Sequence, residues 1–395
     1  MSISKLVILG GEKEFNERKF CGQLNFPEWE DYIASMRGIF EREYYTNNGP
    51  LVRELERKLS YFHNTKNIIT VTNKSIAFLI ALEVLNIKSK IIISPFSELD
   101  LTLSILRAGA KPVYCDINYK TLHIDECLLS DFNKEDFSAI IALNSFGDCA
   151  NINKINNWAI KANKTILWDS SKSNGSKFNN KILGANGSLE IFSMDSGNII
   201  NCFDGAYITT NDDHLAEKMR NIRSSYGVQK VIKVDRTVNG RLSEFQAAIA
   251  LSTLKNFENY KCRNQEQRKI YLENLKNIIG IKMQKTYSCS NTNNQDLIIR
   301  IDEKEFGLKK NIFIDLLKME NVFTKNPLKD FEFIKDKLIK NNNLTDLRNT
   351  NLLTQEILQL PIGSSVNKFD IERICLLIRN IQLNSEVIRR KYYNY

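Results

Sequence analysis

Short apolar runs alternate with amphipathic segments through the first half of the chain. Residues 91–93, 139–143 and 165–168 are apolar at nearly every position, which is typical of strands buried on both faces, and residues 67–72 combine Ile and Val with Thr in a further predicted strand. Segments with apolar residues at helical spacing lie among them, at 28–45, 50–62 and 73–82. This alternation predicts an α/β fold with a mostly parallel sheet and functional side chains at the carboxyl ends of its strands.

The pattern changes after residue 255. Up to that point two further apolar runs, 189–192 and 206–210, extend the predicted sheet, and residues 213–224 have helical spacing. Beyond it, a strand at 296–301 and a helix at 309–319 predict a smaller α+β unit. We therefore expect a large α/β domain over 1–255 and a small C-terminal domain over 256–395.

Composition removes several classes of protein. The 395 residues carry a net charge of +9, but the lysines are scattered rather than clustered with aromatic residues, so we expect no nucleic-acid partner. No run reaches the roughly 18 apolar residues of a membrane span. The eight cysteines contain no CxxC pair, which favours free thiols and no metal site. The sequence thus favours a cytoplasmic protein with no membrane partner.

Two junctions carry candidate chemistry. Asp169 directly follows the apolar run 165–168, so a buried strand is expected to present its carboxylate at the sheet edge. The strand at 67–72 leads straight into a helix at Asn73-Lys74-Ser75, where unpaired backbone N–H groups would attract an anion. Both junctions belong to the carboxyl edge of the predicted sheet.

Longer phrases make a family resemblance. Four segments are similar to segments of the DegT/DnrJ/StrS family. They are YTNNGPLV at 45–52, the stretch 168–210, VNGRLSEFQAA at 238–248 and NTNLLTQEILQLPIG at 349–363. Its members are pyridoxal-phosphate (PLP) dependent sugar-nucleotide aminotransferases, and the resemblance extends over roughly residues 8–380. It implies the PLP aminotransferase fold type I, a homodimer, a nucleotide-sugar ligand and a link to the deoxyamino sugars of surface polysaccharides.

The resemblance also assigns roles to site residues that match the family pattern. Asp169 stands where the family places the acid on the PLP ring nitrogen. Ser75, Ser193 and Asn239 stand at positions that contact the PLP phosphate, Asn239 by reaching across the dimer interface. As an alternative, Asn239 or Ser243 caps the helix that follows.

Four other positions depart from the family. Asn198 occupies the position of the Schiff-base lysine, and Glu98 the position of an aromatic residue that stacks on the PLP ring. Lys172 stands where relatives carry His or Gln. Lys74 replaces a glycine at the phosphate-binding helix, so its side chain would add a cation, fill the space of the phosphate, or simply point to solvent.

Asparagine cannot form an imine, and its amide does not titrate near neutral pH. Two hypotheses follow. In the first, the chain is a non-transaminating binding or partner protein, as a homodimer or with an active paralogue. In the second, it is an active aminotransferase or dehydratase on an NDP-4-keto-6-deoxy sugar, with PLP or pyridoxamine phosphate (PMP) held non-covalently, or with Lys172 or Lys74 as the amine. A misplaced lysine is a third alternative, although the segment 196–199 contains none.

Overall fold

The computed structural model describes residues 5–132, 137–225, 230–337 and 346–393. The helices are α1 Trp29–Glu41, α2 Pro50–His63, α3 Lys74–Val84, α4 Leu99–Arg107, α5 Ile152–Ala162, α6 Asp213–Ser224, α7 Glu244–Lys255, α8 Phe257–Leu275, α9 Glu303–Phe306, α10 Lys310–Met319, α11 Lys329–Lys337, α12 Arg348–Leu353, α13 Lys368–Leu383 and α14 Ser385–Tyr393. The strands are β1 Lys19–Phe20, β2 Asn67–Val71, β3 Lys90–Ile93, β4 Lys111–Tyr114, β5 Ala139–Leu143, β6 Thr165–Asp169, β7 Lys177–Phe178, β8 Lys181–Ile182, β9 Leu189–Ser193, β10 Ala206–Thr210, β11 Ile281–Met283, β12 Ser290–Asn291, β13 Leu297–Ile301, β14 Val322–Phe323 and β15 Ile357–Leu360.

A seven-stranded sheet forms the centre of the molecule. Its strand order is β2-β10-β9-β6-β5-β3-β4, and only β10 runs antiparallel to its neighbours β2 and β9. The pairs β9–β6, β6–β5, β5–β3 and β3–β4 are all parallel. The prediction of an α/β fold with a mostly parallel sheet is confirmed.

The sheet is buried on both faces, which explains why its strands are apolar at almost every position. Along β5, Ala139 and Ile141 pack into the core on one face while Ile140 and Ala142 pack into the core on the other. The same alternation recurs in β3. Side chains of successive strand residues point to opposite faces, so two cores require an unbroken apolar run.

The C-terminal part has its own antiparallel sheet, β11-β13-β15, and a third core. This core includes Leu6 and Phe15, and β1 pairs with β14, so the N-terminal segment packs against the C-terminal unit. Conversely, β12 pairs with β7 of the large unit. The domain boundary at residue 255 stays a prediction.

Side-chain hydrogen bonds fix the N-terminal ends of three helices, α3, α7 and α2. Asn73 caps α3 by accepting a hydrogen bond from the backbone of Ile76 at 3.0 Å. Ser243 and Gln246 form a capping box at the start of α7, as the alternative role for Ser243 predicted. The buried Glu244 carboxylate accepts hydrogen bonds from two backbone N–H groups in the first turn of α2 at 3.0 Å each, so α7 fixes the position of α2.

Three further features of the described residues concern membrane-spanning helices, metal-ligand clusters and disulfide bonds. Within them, no helix is both long and apolar enough to cross a bilayer, and no cluster of three potential metal ligands occurs. All eight cysteines are free thiols, and only Cys127 and Cys262 are exposed.

Candidate functional site

A cavity of about 470 Å³ opens at the carboxyl ends of β3, β5 and β6, beside the first turn of α3. The segment 324–330 lies opposite these strands and completes the wall. Four of the eight predicted site residues line the cavity together: Lys74, Glu98, Asp169 and Lys172. This position, at the carboxyl edge of an open α/β sheet, is where ligands usually bind.

Asp169 is the last residue of β6 and is 4% exposed. One carboxylate oxygen accepts hydrogen bonds from the backbone N–H and the hydroxyl of Ser171. Burial raises the pKa of Asp169, and the nearby Lys74 ammonium opposes that rise. The two hydrogen bonds from Ser171 and the Lys74 charge both favour the ionised carboxylate, while burial favours the protonated one.

Lys74 is the first residue of α3 and is 6% exposed. Its ammonium forms an ion pair with the carboxylate of Glu98, which lies just before α4 at the cavity rim. Burial alone would lower the pKa of Lys74, but the charges of Glu98 and Asp169 outweigh it and raise that pKa. The Lys74 ammonium in turn lowers the pKa of Glu98. The alternative in which Lys74 points to solvent is therefore wrong.

Lys172 has a different partner, Asp195, at 3.5 Å. Burial would lower the pKa of Lys172, but Asp195, Glu98 and Asp296 outweigh it and raise that pKa. For Asp195, burial would raise the pKa, yet Lys172 and Lys74 outweigh it and hold that pKa at about 2. The buried Lys74 and the half-buried Lys172 are thus both held as ammonium ions.

Asn198 is fully buried and does not line the cavity. Its side-chain amide donates to the Ser193 carbonyl at 3.2 Å, and its side-chain oxygen accepts from Gln295 at 2.8 Å. The neighbouring Gly197 lines the cavity instead. A Cβ atom on Gly197 would lie 3.3 Å from the Lys172 Nζ and 3.1 Å from an Asp195 carboxylate oxygen.

The three predicted phosphate contacts lie outside the cavity lining. Ser193 is buried at the end of β9, where its hydroxyl donates to Asp195 at 2.9 Å. Ser75 is half-buried in the first turn of α3. Asn239 is exposed, and its side-chain oxygen accepts a hydrogen bond from Arg241 at 3.2 Å. Their phosphate roles stay predictions.

Sequence reasoning missed several residues of the site. Asp195 lies inside the quoted stretch 168–210, three residues before Asn198, and a search for carboxylates there would have found it. Ser145 and Thr324 line the cavity with buried hydroxyls that have no hydrogen-bond partner among the described residues. Nothing in the local sequence signals Thr324, because its segment reaches the cavity only through the tertiary fold.

With this geometry in hand, comparison with known proteins defines the class. A sequence model of the DegT/DnrJ/EryC1/StrS aminotransferase family matches residues 28–379, and the chain belongs to this family. The dTDP-4-amino-4,6-dideoxy-D-glucose transaminase of Shigella dysenteriae is 25% identical over 368 residues, covering 92% of this chain and 99% of that protein.

Solved structures agree on the fold. The structure of DesI in the presence of its TDP-sugar product superposes with a TM-score of 0.92 at 21% identity, and the match covers 98% of this chain and 99% of DesI. The putative sugar aminotransferase Spr1654 of Streptococcus pneumoniae, solved in its PMP form, has a TM-score of 0.83 at 16% identity and covers 93% and 99%. The PLP aminotransferase fold expected from the resemblance is confirmed.

The residues of this chain do not fit PLP held in the manner of the family. Asp169 suits a ring nitrogen, because its charge favours a protonated pyridine. However, Lys74 adds a side chain to the cavity lining where the resemblance expects a glycine, and the Glu98 carboxylate lacks a flat apolar face for stacking. The Asn198 amide is engaged elsewhere and offers no amine.

Proposed function

We propose that this chain is a sugar-nucleotide-binding member of its family that does not transaminate. The observation that supports it best is Asn198, whose buried side-chain amide donates one hydrogen bond and accepts another at the position that the family resemblance gives to the Schiff-base lysine. Its role would be in the deoxysugar pathways that its relatives serve, as a binding protein or as the partner of an active paralogue.

The two lysines that reach the inner cavity support the same conclusion. A lysine must lose its proton before it attacks an aldehyde. Lys74 and Lys172 each form an ion pair with a carboxylate, and their raised pKa values disfavour the neutral amine. Neither is prepared to act as a nucleophile.

Mixing the purified protein with PLP tests the loss of transamination. We expect no absorbance band of an internal aldimine, no lysine adduct after borohydride reduction, and no amino transfer from glutamate to a 4-keto-sugar nucleotide. A trapped adduct, mapped by peptide mass spectrometry, would contradict the proposal and identify the lysine. Product formed at a rate typical of an aminotransferase would contradict it as well.

Thermal unfolding with dTDP-, UDP- and GDP-linked sugars tests the binding role. A ligand that binds only the native state, at about 100 times its Kd, adds roughly 2.7 kcal/mol of stability. For a chain of this length that corresponds to a rise in Tm of about 3 °C. No rise with any of the three classes would refute sugar-nucleotide binding while leaving the absence of transamination standing.

A second candidate function is an enzyme with an altered amine. It is favoured by one observation: the Lys172 Nζ lies 3.3 Å from the place of a Cβ on Gly197, so an amine does stand beside the segment that supplies the lysine in relatives. The same borohydride experiment separates the two candidates. An adduct on Lys172 would establish this second function.

A further inference from the structure

The ion pair of Lys74 and Glu98 joins two separate elements in the wall of the cavity. Lys74 begins α3 after β2, and Glu98 precedes α4 after β3. These are the two positions at which the family resemblance expects a glycine beside the phosphate and an aromatic face on the ring. We propose that this ion pair is a built-in replacement for the cofactor, and that the protein binds the sugar of its nucleotide-sugar ligand against the pair without PLP.

The first argument concerns charge. Asp169 is almost fully buried, and an unpaired carboxylate there would be costly. A protonated pyridine ring would supply the compensating cation if PLP were bound. Here the Lys74 ammonium lines the same cavity as Asp169 and opposes the rise in the pKa of Asp169 that burial causes. Part of the compensating positive charge is therefore present without a cofactor.

The second argument concerns space. A glycine at position 74 would leave the first turn of α3 open, with its free N–H groups facing the cavity. Lys74 instead carries a side chain that lines the cavity and is ion-paired with Glu98. A ring and a phosphate bound at this place would have to displace that ion pair.

The third argument concerns the ligand, and it rests on the proposed function. Four lysines and four carboxylates line the cavity, so its charges balance: Lys74, Lys172, Lys325 and Lys329 against Glu98, Asp169, Asp296 and Asp330. The unpartnered hydroxyls of Ser145, which is 3% exposed, and Thr324 add further polar groups. A balanced set of donors and acceptors suits a neutral, hydroxyl-rich ring better than an anion.

The decisive experiment measures PLP binding by equilibrium dialysis. In the double variant Lys74→Gly/Glu98→Phe the helix start is open, a ring face is present, and Asp169 lacks its cation. We expect this variant to bind PLP at least about tenfold more tightly than the unaltered protein. Lys329→Ala removes a lysine from the cavity wall and leaves the Lys74–Glu98 ion pair intact, so this variant is not expected to gain affinity.

Equal PLP affinity in the unaltered protein and in a natively folded double variant would overturn the inference, as would an equal gain in Lys329→Ala. If the double variant does not fold, Lys74→Gly alone decides by the same comparison. Near-UV circular dichroism and Tm verify the fold of each variant.

A second measurement tests the contact with the sugar. In PLP-free protein, Lys74→Met is expected to raise the Kd for a nucleotide sugar about tenfold while leaving the Kd for the free nucleoside diphosphate nearly unchanged. Equal effects on both ligands would refute the sugar contact. If neither ligand binds the unaltered protein, the proposed function fails, and the dialysis result still decides whether the ion pair excludes the cofactor.

Discussion

Gly197 and Asn198 are adjacent in the chain, yet only the glycine borders the cavity. Asn198 turns the other way, where its amide links the Ser193 carbonyl to Gln295. A side chain at position 197 would reach Asp195 and Lys172 directly. The backbone of Gly197 does not have a positive φ, so a larger residue is sterically allowed there.

This difference predicts the outcome of returning a lysine to the segment. In the Lys74→Gly/Glu98→Phe background, Gly197→Lys is expected to give a borohydride-trappable adduct with PLP, because its amine would enter the cavity. Asn198→Lys is expected to give none, and to lower the free energy of unfolding in urea by about 3 kcal/mol, since it buries an amine and breaks two hydrogen bonds. An adduct from Asn198→Lys would contradict this orientation.

The sequence predicted the position of Asp169 at the carboxyl edge of the sheet, but it did not predict the ion pairs of the site. Asp169 follows an apolar run, so its position at the end of a buried strand was predictable from local pattern alone. The pairing of Lys74 with Glu98 spans two βα junctions, and that of Lys172 with Asp195 spans 23 residues. These ion pairs depend on the order in which the strands pair within the sheet, and no local sequence pattern determines that order.

At the scale of elements, His63 connects the end of α2 to strand β10 and to the segment that contains Leu183. Its two ring nitrogens contact the Leu183 carbonyl at 2.6 Å and the Tyr207 hydroxyl of β10 at 2.7 Å. Tyr207 in turn donates a hydrogen bond to Asn174. Burial lowers the pKa of His63 to about 4, against the partial opposition of the Leu183 carbonyl.

A pH dependence of stability follows from this shift. An unfolded histidine takes up its proton near pH 6.5, whereas folded His63 does so only near pH 4. The unfolded state therefore binds more protons between these values, and stability falls as the pH falls, by up to about 3 kcal/mol. We expect urea unfolding to show this loss between neutral pH and pH 4, and a shallower loss in His63→Gln.

The exposed His214 provides the matched control. His214→Gln is expected to keep the full acid-side loss of the unaltered protein. If His63→Gln and the unaltered protein lose stability in parallel, the buried imidazole is not the group responsible.

The sequence predicted the bounds of helices and strands that are long enough to show a regular pattern of apolar residues. Helix α6 and strand β5 have the predicted bounds, 213–224 and 139–143. The two-residue strands β7, β8 and β12 were not predicted. They are too short for any periodicity, and β12 forms only because Ser290 meets Phe178 across the fold.

At the scale of the whole molecule, large apolar side chains remain exposed around α1. Phe26, Trp29 and Phe40 are each at least 60% exposed. The ring of Phe26 packs against the exposed ring of Phe203, with the two ring centroids 5.1 Å apart. A patch of this kind on a monomer usually marks a protein interface. The homodimer expected from the sequence would cover this patch with a second copy of the chain.

We therefore predict a dimer, with a mass by light scattering of twice the 45.6 kDa chain. Trp29→Glu is expected to shift the mass toward the monomer, because it places a charge within the patch. Ile160→Glu, at a 74% exposed position on α5, is the matched control and should stay dimeric. A monomer for the unaltered protein would refute the prediction.

One consequence of the Lys74–Glu98 contact concerns evolutionary history. The positions that distinguish this site from a working transaminase lie on three different elements, so their codons must change independently. On the proposed function, supplying an amine alone would not restore transamination while Lys74 remains in the cavity lining, and removing Lys74 alone would take a positive charge away from Asp169. No single substitution would then restore the chemistry, so its loss would be difficult to reverse.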